Sequence, residues 1–438
     1  MSSQNTSPEN TSPENSSLEG IATQLMIDTK RLVDELETLA MFSAAAPPAV
    51  TRVLFSDEDM AARAYLKTRC EDLGLSLRED ALGNLFARWE GRHPELPAVA
   101  TGSHIDAIPF SGRYDGTVGV LGALAAFRAL QELGYEPKRS LELIVFTAEE
   151  PTRFGIGCLG SRALGGVLSA QEIQALRDDT GASPDEVRKA RGIAGNLAEL
   201  ALGKGYYHSF LELHIEQGPL LEAAKLNLGV VTAIAAPASL TVTVTGQGGH
   251  AGAVLMPQRY DALTAAADMA LAVEKIAKTA AQTTPTHDSV ATVGIFEVHP
   301  AAVNSIPSQV KFTIDCRDTD LARRDGMVAD IQTQIADIAA QRGVKAELEV
   351  LNADAPTSCH PDLMKACSNA ADRLELSWQQ MVSRAYHDTL FMAQVCPVGM
   401  LFIPCEGGIS HRPDEYSSPQ DITNGVRALA LALSELAG

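Results

Sequence analysis

Positive charge, aromatic rings and long apolar runs are all scarce in this chain. Its 438 residues carry 35 Lys and Arg against 55 Asp and Glu, a formal net charge of -20, and aromatic residues make up 5%. Nucleic acid or an anionic membrane surface would be repelled over most of such a protein, so neither is an expected partner. No apolar run reaches the roughly 18 residues that a membrane span needs. Seven cysteines, at 70, 158, 316, 359, 367, 396 and 405, form no CxxC pair. That spacing excludes a zinc knuckle and fits a reducing compartment, with Cys158 expected to be buried and inert. The stretch 1–20 repeats Asn-Thr-Ser-Pro-Glu twice and lacks the apolar segment of a secretory signal. A disordered tail and a cytoplasmic protein are therefore expected.

What the chain does have is enough length for two domains and an ordinary 45% of hydrophobic residues. The chemistry concentrates between Gly102 and Glu150. Apolar runs at 97–101 and 141–147 read as buried strands of a parallel sheet, and the repeat of Val120, Leu121, Leu124, Phe127 and Leu130 predicts a helix over 117–133 between them. In such a strand-helix-strand unit, polar groups past the carboxyl ends of the strands collect in one crevice. His104, Asp106, Asp115, Glu149 and Glu150 are expected there. Imidazole and carboxylates without cysteine suit divalent ions such as Zn or Mn, and one carboxylate can bridge two of them. Neighbouring side chains at a strand end point opposite ways, so one of Glu149 and Glu150 can bind metal while the other remains a general base.

Helices are also expected over 21–40 and 57–73, and a helical surface over 169–200. From Phe210 to Pro219 apolar and polar residues alternate, placing Glu212, His214 and Glu216 on one face, so that His214 can be a ligand. After a change at 232–237 the order becomes strand, helix, strand, strand, helix, strand to about residue 351, the split pattern of a ferredoxin-like domain. Its polar groups are His250 in a glycine-rich loop, Asn304 and Arg317, suited to clamp a carboxylate or polarise a carbonyl. The alternatives are that His250 caps a turn and that Arg317 pairs with Asp315 or Asp318. The chain then returns for a helix near 361–374, a buried strand at 398–404 with His411 beyond it, and a closing helix after Ser418. His104, Asp115, Glu150, His214 and His411 make a donor set large enough for two metals sharing Asp115. Arg153 reads either as an anion holder or as half of an ion pair. His93, His208, His287, His299 and His360 read as surface or structural.

The ordered segments GSHIDAIPFSGRYDG, FTAEEPTRFG, ELHIEQGP, GGHAGAVLMP, VNSIPS and ISHRPDEYSSP resemble the dinuclear-metal amidohydrolases related to aminoacylase and carboxypeptidase. The likeness is to the branch that acts on allantoate, ureidoglycolate and N-carbamoyl-L-amino acids. It implies an α/β fold: a zinc-peptidase-like catalytic domain over 21–235 and 352–438, with a mixed sheet flanked by helices, and an inserted lid and dimerisation domain over 236–351. By likeness, His104 and His214 hold one metal, Glu150 and His411 the other, Asp115 bridges, Glu149 is the base and Asp106 orients His104. Gln217, His250, Asn304 and Arg317 become substrate contacts, His250 also steadying the oxyanion, and some lid residues reach a neighbouring subunit. The wording EEPTRFGIGCLGSRALGG and SRAYHDTLFMA points within the branch to ureidoglycolate-cleaving members, which are associated with manganese (Zn, Co and Ni being other ions such a site takes) and the endoplasmic reticulum. Rival readings are allantoate or an N-carbamoyl amino acid as substrate, a dipeptidase or aminoacylase, and a non-catalytic binding protein.

Overall fold

The Leu141–Phe146 strand, LELIVF, is buried along its whole length and runs parallel to Val99–His104, which is buried throughout as well. Burial on both faces is what a central parallel strand requires, and it explains the near-continuous apolar wording. In this computed structural model, which describes residues 18–284 and 288–438, the sheet continues from Val99–His104 through parallel Ser209–Ile215 to parallel Val398–Ile403. Antiparallel strands extend it on both sides: Leu85–Trp89 and Ser76–Glu79 beyond Leu141–Phe146, and Leu228–Ile234 beside Val398–Ile403. The sheet is therefore mixed, as expected, and the strand expected at 97–101 runs on to His104 itself.

The Thr117–Glu132 helix buries every residue from Thr117 to Leu130. It can lie this close to the sheet because Gly119 and Gly122 lack side chains. A Cβ at Gly119 would sit 2.5 Å from the Leu213 carbonyl oxygen, and one at Gly122 would sit 3.0 Å from Val426 in the Pro419–Ala437 helix. That close approach fixes the loop entering the helix, Tyr114-Asp115-Gly116, above the sheet's carboxyl edge.

The single helix expected over 21–40 is two, Leu18–Gln24 and Thr29–Ala40. Asp28 accepts the Arg31 amide and caps the second, so its short carboxylate diverts the backbone from a continuous helix. Of the tail expected at 1–20, Leu18–Gly20 already belong to the first helix, and residues 1–17 lie outside the described residues, as does His287. The stretch expected as helical surface holds Ala170–Ala175 and Pro184–Ala190, whose Ile173 and Val187 join a small core with Phe154 and Leu159.

Contacts divide the chain into two compact units. One runs up to Thr232 and includes Cys359–Met381 and His387–Gly438; the other comprises Ala233–Ser358 and Val382–Tyr386. In the second, the antiparallel strands lie in the order Val290–His299, Gln309–Asp318, Ala236–Thr245, Lys345–Ala353. Helices Ala262–Ala281 and Leu321–Arg342 pack on them around Val242, Met269, Phe312 and Ile331. Among the described residues no helix is long and apolar enough to cross a membrane.

Candidate metal centre

Three imidazoles converge on Asp115, each through its Nε2. His104 Nε2 lies 3.4 Å and His214 Nε2 3.2 Å from Asp115 Oδ1, while His411 Nε2 lies 3.2 Å from Oδ2 and 3.2 Å from Glu150 Oε1. The two oxygens of one carboxylate thus face two separate donor sets, His104 with His214 and Glu150 with His411. Each group could hold a metal ion.

The rings are already oriented for that task. His214 Nδ1 donates to the Ile215 carbonyl at 2.9 Å and His104 Nδ1 to the Asp106 carbonyl at 3.1 Å, which leaves both Nε2 atoms as acceptors on the Asp115 side, that of His214 accepting the Gly116 amide at 3.1 Å. His104 ends its strand, and His214 stands on the alternating strand Ser209–Ile215. His411 sits in the loop after Val398–Ile403, in a left-handed conformation, and its side chain is 46% exposed against 2% and 1% for His104 and His214. Solvent therefore reaches the pair from the His411 side.

Asp106 does more than stand beside His104. Its carboxylate accepts the Glu149 amide at 3.1 Å and the Glu150 amide at 2.9 Å, so it fixes the turn that splays the two glutamates. Glu149 Oε2 lies 3.8 Å from His104 Nε2, whereas Glu150 reaches His411. Gln217, itself at positive φ, donates to Asp115 Oδ2 at 2.7 Å. In the second unit, His250 Nδ1 accepts the Gly252 amide, Asn304 offers its carbonyl to Ala251, and Arg317 pairs with Asp315 and donates to the Arg384 carbonyl. Arg153 pairs with Asp178.

Sequence reading gave no role to Ser410 and Glu415. Ser410 Oγ reaches both Asp115 Oδ2 and Glu415 Oε2, and Glu415 Oε1 accepts the Tyr114 and Asp115 amides at 2.8 and 3.1 Å. Their one signal was adjacency to His411. Glu212 and His387 were likewise unassigned: Glu212 accepts from Ser103 and Thr389, and the His387 ring lies 4.5 Å from that of His214.

The electrostatics favour bound cations. Burial and the neighbouring carboxylates of Glu150, Asp388 and Asp115 push Glu149 well above the usual carboxylate range, against the pull of His104. Burial likewise raises Glu150. Hydrogen bonds to Asp115 and Glu150 push His411 up to about 11. Burial would lower His104, but Glu149, Asp106 and Asp115 outweigh it and raise that ring too. Carboxylates crowded this closely in a buried place draw protons onto themselves and onto the imidazoles beside them, and divalent ions could take the place of those protons; imidazole with carboxylate is a donor set such ions accept.

Gly116, at φ 67°, lies hard against a candidate ligand: a Cβ there would lie 2.5 Å from the His104 ring. Gly116→Ala is expected to displace His104 and weaken metal retention by about 10- to 100-fold, the scale of a disturbed ligand support. Metal titration of the two proteins reads this directly.

The model of peptidase family M20/M25/M40 matches residues 100–435. A ureidoglycolate hydrolase of Arabidopsis thaliana is 52% identical over 425 residues, covering 95% of this chain and 88% of the relative. An N-carbamoyl-L-amino-acid amidohydrolase of Paenarthrobacter aurescens is 38% identical over 408 residues, covering 93% and 98%. A crystal structure of AtUAH in complex with (S)-hydroxyglycine superposes with a TM-score of 0.87 at 51% identity, covering 95% of this chain and 99% of that one.

Proposed function

Because the chain belongs to peptidase family M20/M25/M40 and is an enzyme of its amidohydrolase branch, we propose that it hydrolyses the ureido C–N bond of ureidoglycolate, giving glyoxylate, ammonia and carbon dioxide. The observation that carries this reading is the pair of donor sets sharing Asp115, with Glu149 standing free of both beside His104. The 52% identity to a ureidoglycolate hydrolase supports the substrate. In the same proposal His104 and His214 would hold one ion and Glu150 and His411 the other, with Asp115 shared between the two sets. The ions are manganese, the active form is a homodimer and the compartment is the cytoplasm.

Bound divalent ions supply Lewis acidity, neutralising charge that develops on the ureido carbonyl oxygen and easing deprotonation of water. Glu149 takes the proton from the attacking water and delivers it to the nitrogen that leaves, so one carboxyl group serves as base and then as acid. The C–N bond breaks to release hydroxyglycine and carbamate; carbamate gives ammonia and carbon dioxide, and hydroxyglycine loses ammonia to become glyoxylate. The (S)-hydroxyglycine held by the structural relative suits that sequence of steps. Asp106 holds Glu149 and Glu150 by their amides throughout. Gln217, His250, Asn304 and Arg317 are given substrate binding, with His250 steadying the oxyanion.

Manganese-loaded protein offered ureidoglycolate, allantoate and an N-carbamoyl amino acid side by side is expected to release glyoxylate from ureidoglycolate at a kcat/KM at least about 100-fold above either alternative, a discrimination of the size that buried polar contacts provide. Preference for an N-carbamoyl amino acid would leave the metal centre standing and discard the substrate.

A further inference from the structure

The loop after Glu150 returns to the glutamate pair and is bonded to it backbone to backbone. The Cys158 amide donates to the Glu149 carbonyl at 2.7 Å, Leu159 to Ala148 at 2.8 Å and Gly160 to Thr147 at 2.7 Å. Cys158 sits at this seam with φ 55°, a conformation that a residue with a side chain adopts rarely and at a cost. Its side chain points toward the base. Its sulfur lies 3.5 Å from Glu149 Oε1, and the residue has no exposed surface. Glu149's other oxygen, Oε2, is the one facing His104 Nε2.

We propose that Cys158 is a positioning residue for the catalytic base: its thiol donates to Glu149 Oε1 and so holds Oε2 toward the reacting centre. The proposal rests on Glu149 being the base. Burial, together with the charges of Glu149 and Asp388, raises the thiol well above its ordinary range, so it keeps its proton and remains a donor. Cys158 neither attacks substrate nor binds metal in this scheme. Its work is to restrict the last torsion of the Glu149 side chain, which is otherwise broad and roughly two-fold. Cys158 is buried, as expected, and in this proposal it acts on rate through Glu149 alone.

The test compares Cys158→Ala and Cys158→Ser, both manganese-loaded and with ureidoglycolate as substrate. Cys158→Ala is expected to lower kcat about tenfold, leaving KM within about twofold and metal content unchanged. Cys158→Ser keeps a donor and is expected to retain kcat within about threefold. If Cys158→Ala fails to fold, Cys158→Gly, which is at ease with a positive φ, carries the same expectation. Unchanged kcat on removing the thiol, an equal fall in the serine variant, or a fall that follows lost metal would each overturn the proposal. Glu149→Gln measured alongside separates the two claims: if it turns over normally the base assignment fails, whereas if it is inactive and Cys158→Ala is normal, only the role of Cys158 fails.

Discussion

Glu149→Gln is expected to lose about 10³-fold or more in kcat while keeping its metal. Removing a general base costs roughly 10²- to 10⁴-fold, and in the proposed mechanism one carboxyl group both takes and returns the proton, which places the loss toward the upper end. The amide has nearly the shape of the carboxylate, so the donor sets on Asp115, which do not include Glu149, remain in place. Elemental analysis and steady-state kinetics on the same preparation supply both readings. Near-normal turnover would move the base elsewhere; lost metal would make Glu149 a ligand.

Asp115→Ala is expected to be at least as damaging, for a different reason. Its two oxygens face separate donor sets, so its removal weakens both sites together and leaves His104 and His214 without a shared anionic partner. Activity should fall to background and metal content well below one ion per chain, since metal affinity at such a site depends on its ligand count and charge. His411→Ala is the contrast. It should cost the ion held with Glu150 and leave the His104 and His214 set able to bind, so the two variants differ in stoichiometry even if both are inactive. Equal stoichiometry in the two would dismiss Asp115 as the bridge.

Much of the site was legible because its residues lie next to strong local signals. His104, Glu149 and His214 follow or end apolar strands, and strand periodicity alone places such residues at a sheet edge. The alternation at Ser209–Ile215 was readable, but not the burial of both faces. Glu212 is wholly enclosed because Ser103 and the 388–392 helix cover it, and no feature of the strand itself announces that cover. Glu415 was invisible for a related reason: the amides it accepts belong to Tyr114 and Asp115, some 300 residues earlier. The break at Asp28 was missed because apolar spacing continues through it while the cap is decided by one side-chain hydrogen bond. The return of Val382–Tyr386 to the second unit leaves no compositional mark at all.

The clasp from Glu415 to the Asp115 loop also bears on how the protein is made. A chain emerges from the ribosome amino end first, and domains fold as their segments become available. His104, Asp115, Glu149 and Glu150 appear early, but Ser410, His411 and Glu415 follow more than 250 residues later. Until they arrive the Asp115 loop lacks the Glu415 clasp and the second donor set lacks its imidazole. Translation that stops short of that point is therefore expected to yield a polypeptide without its second donor set, which should retain less metal than the full chain.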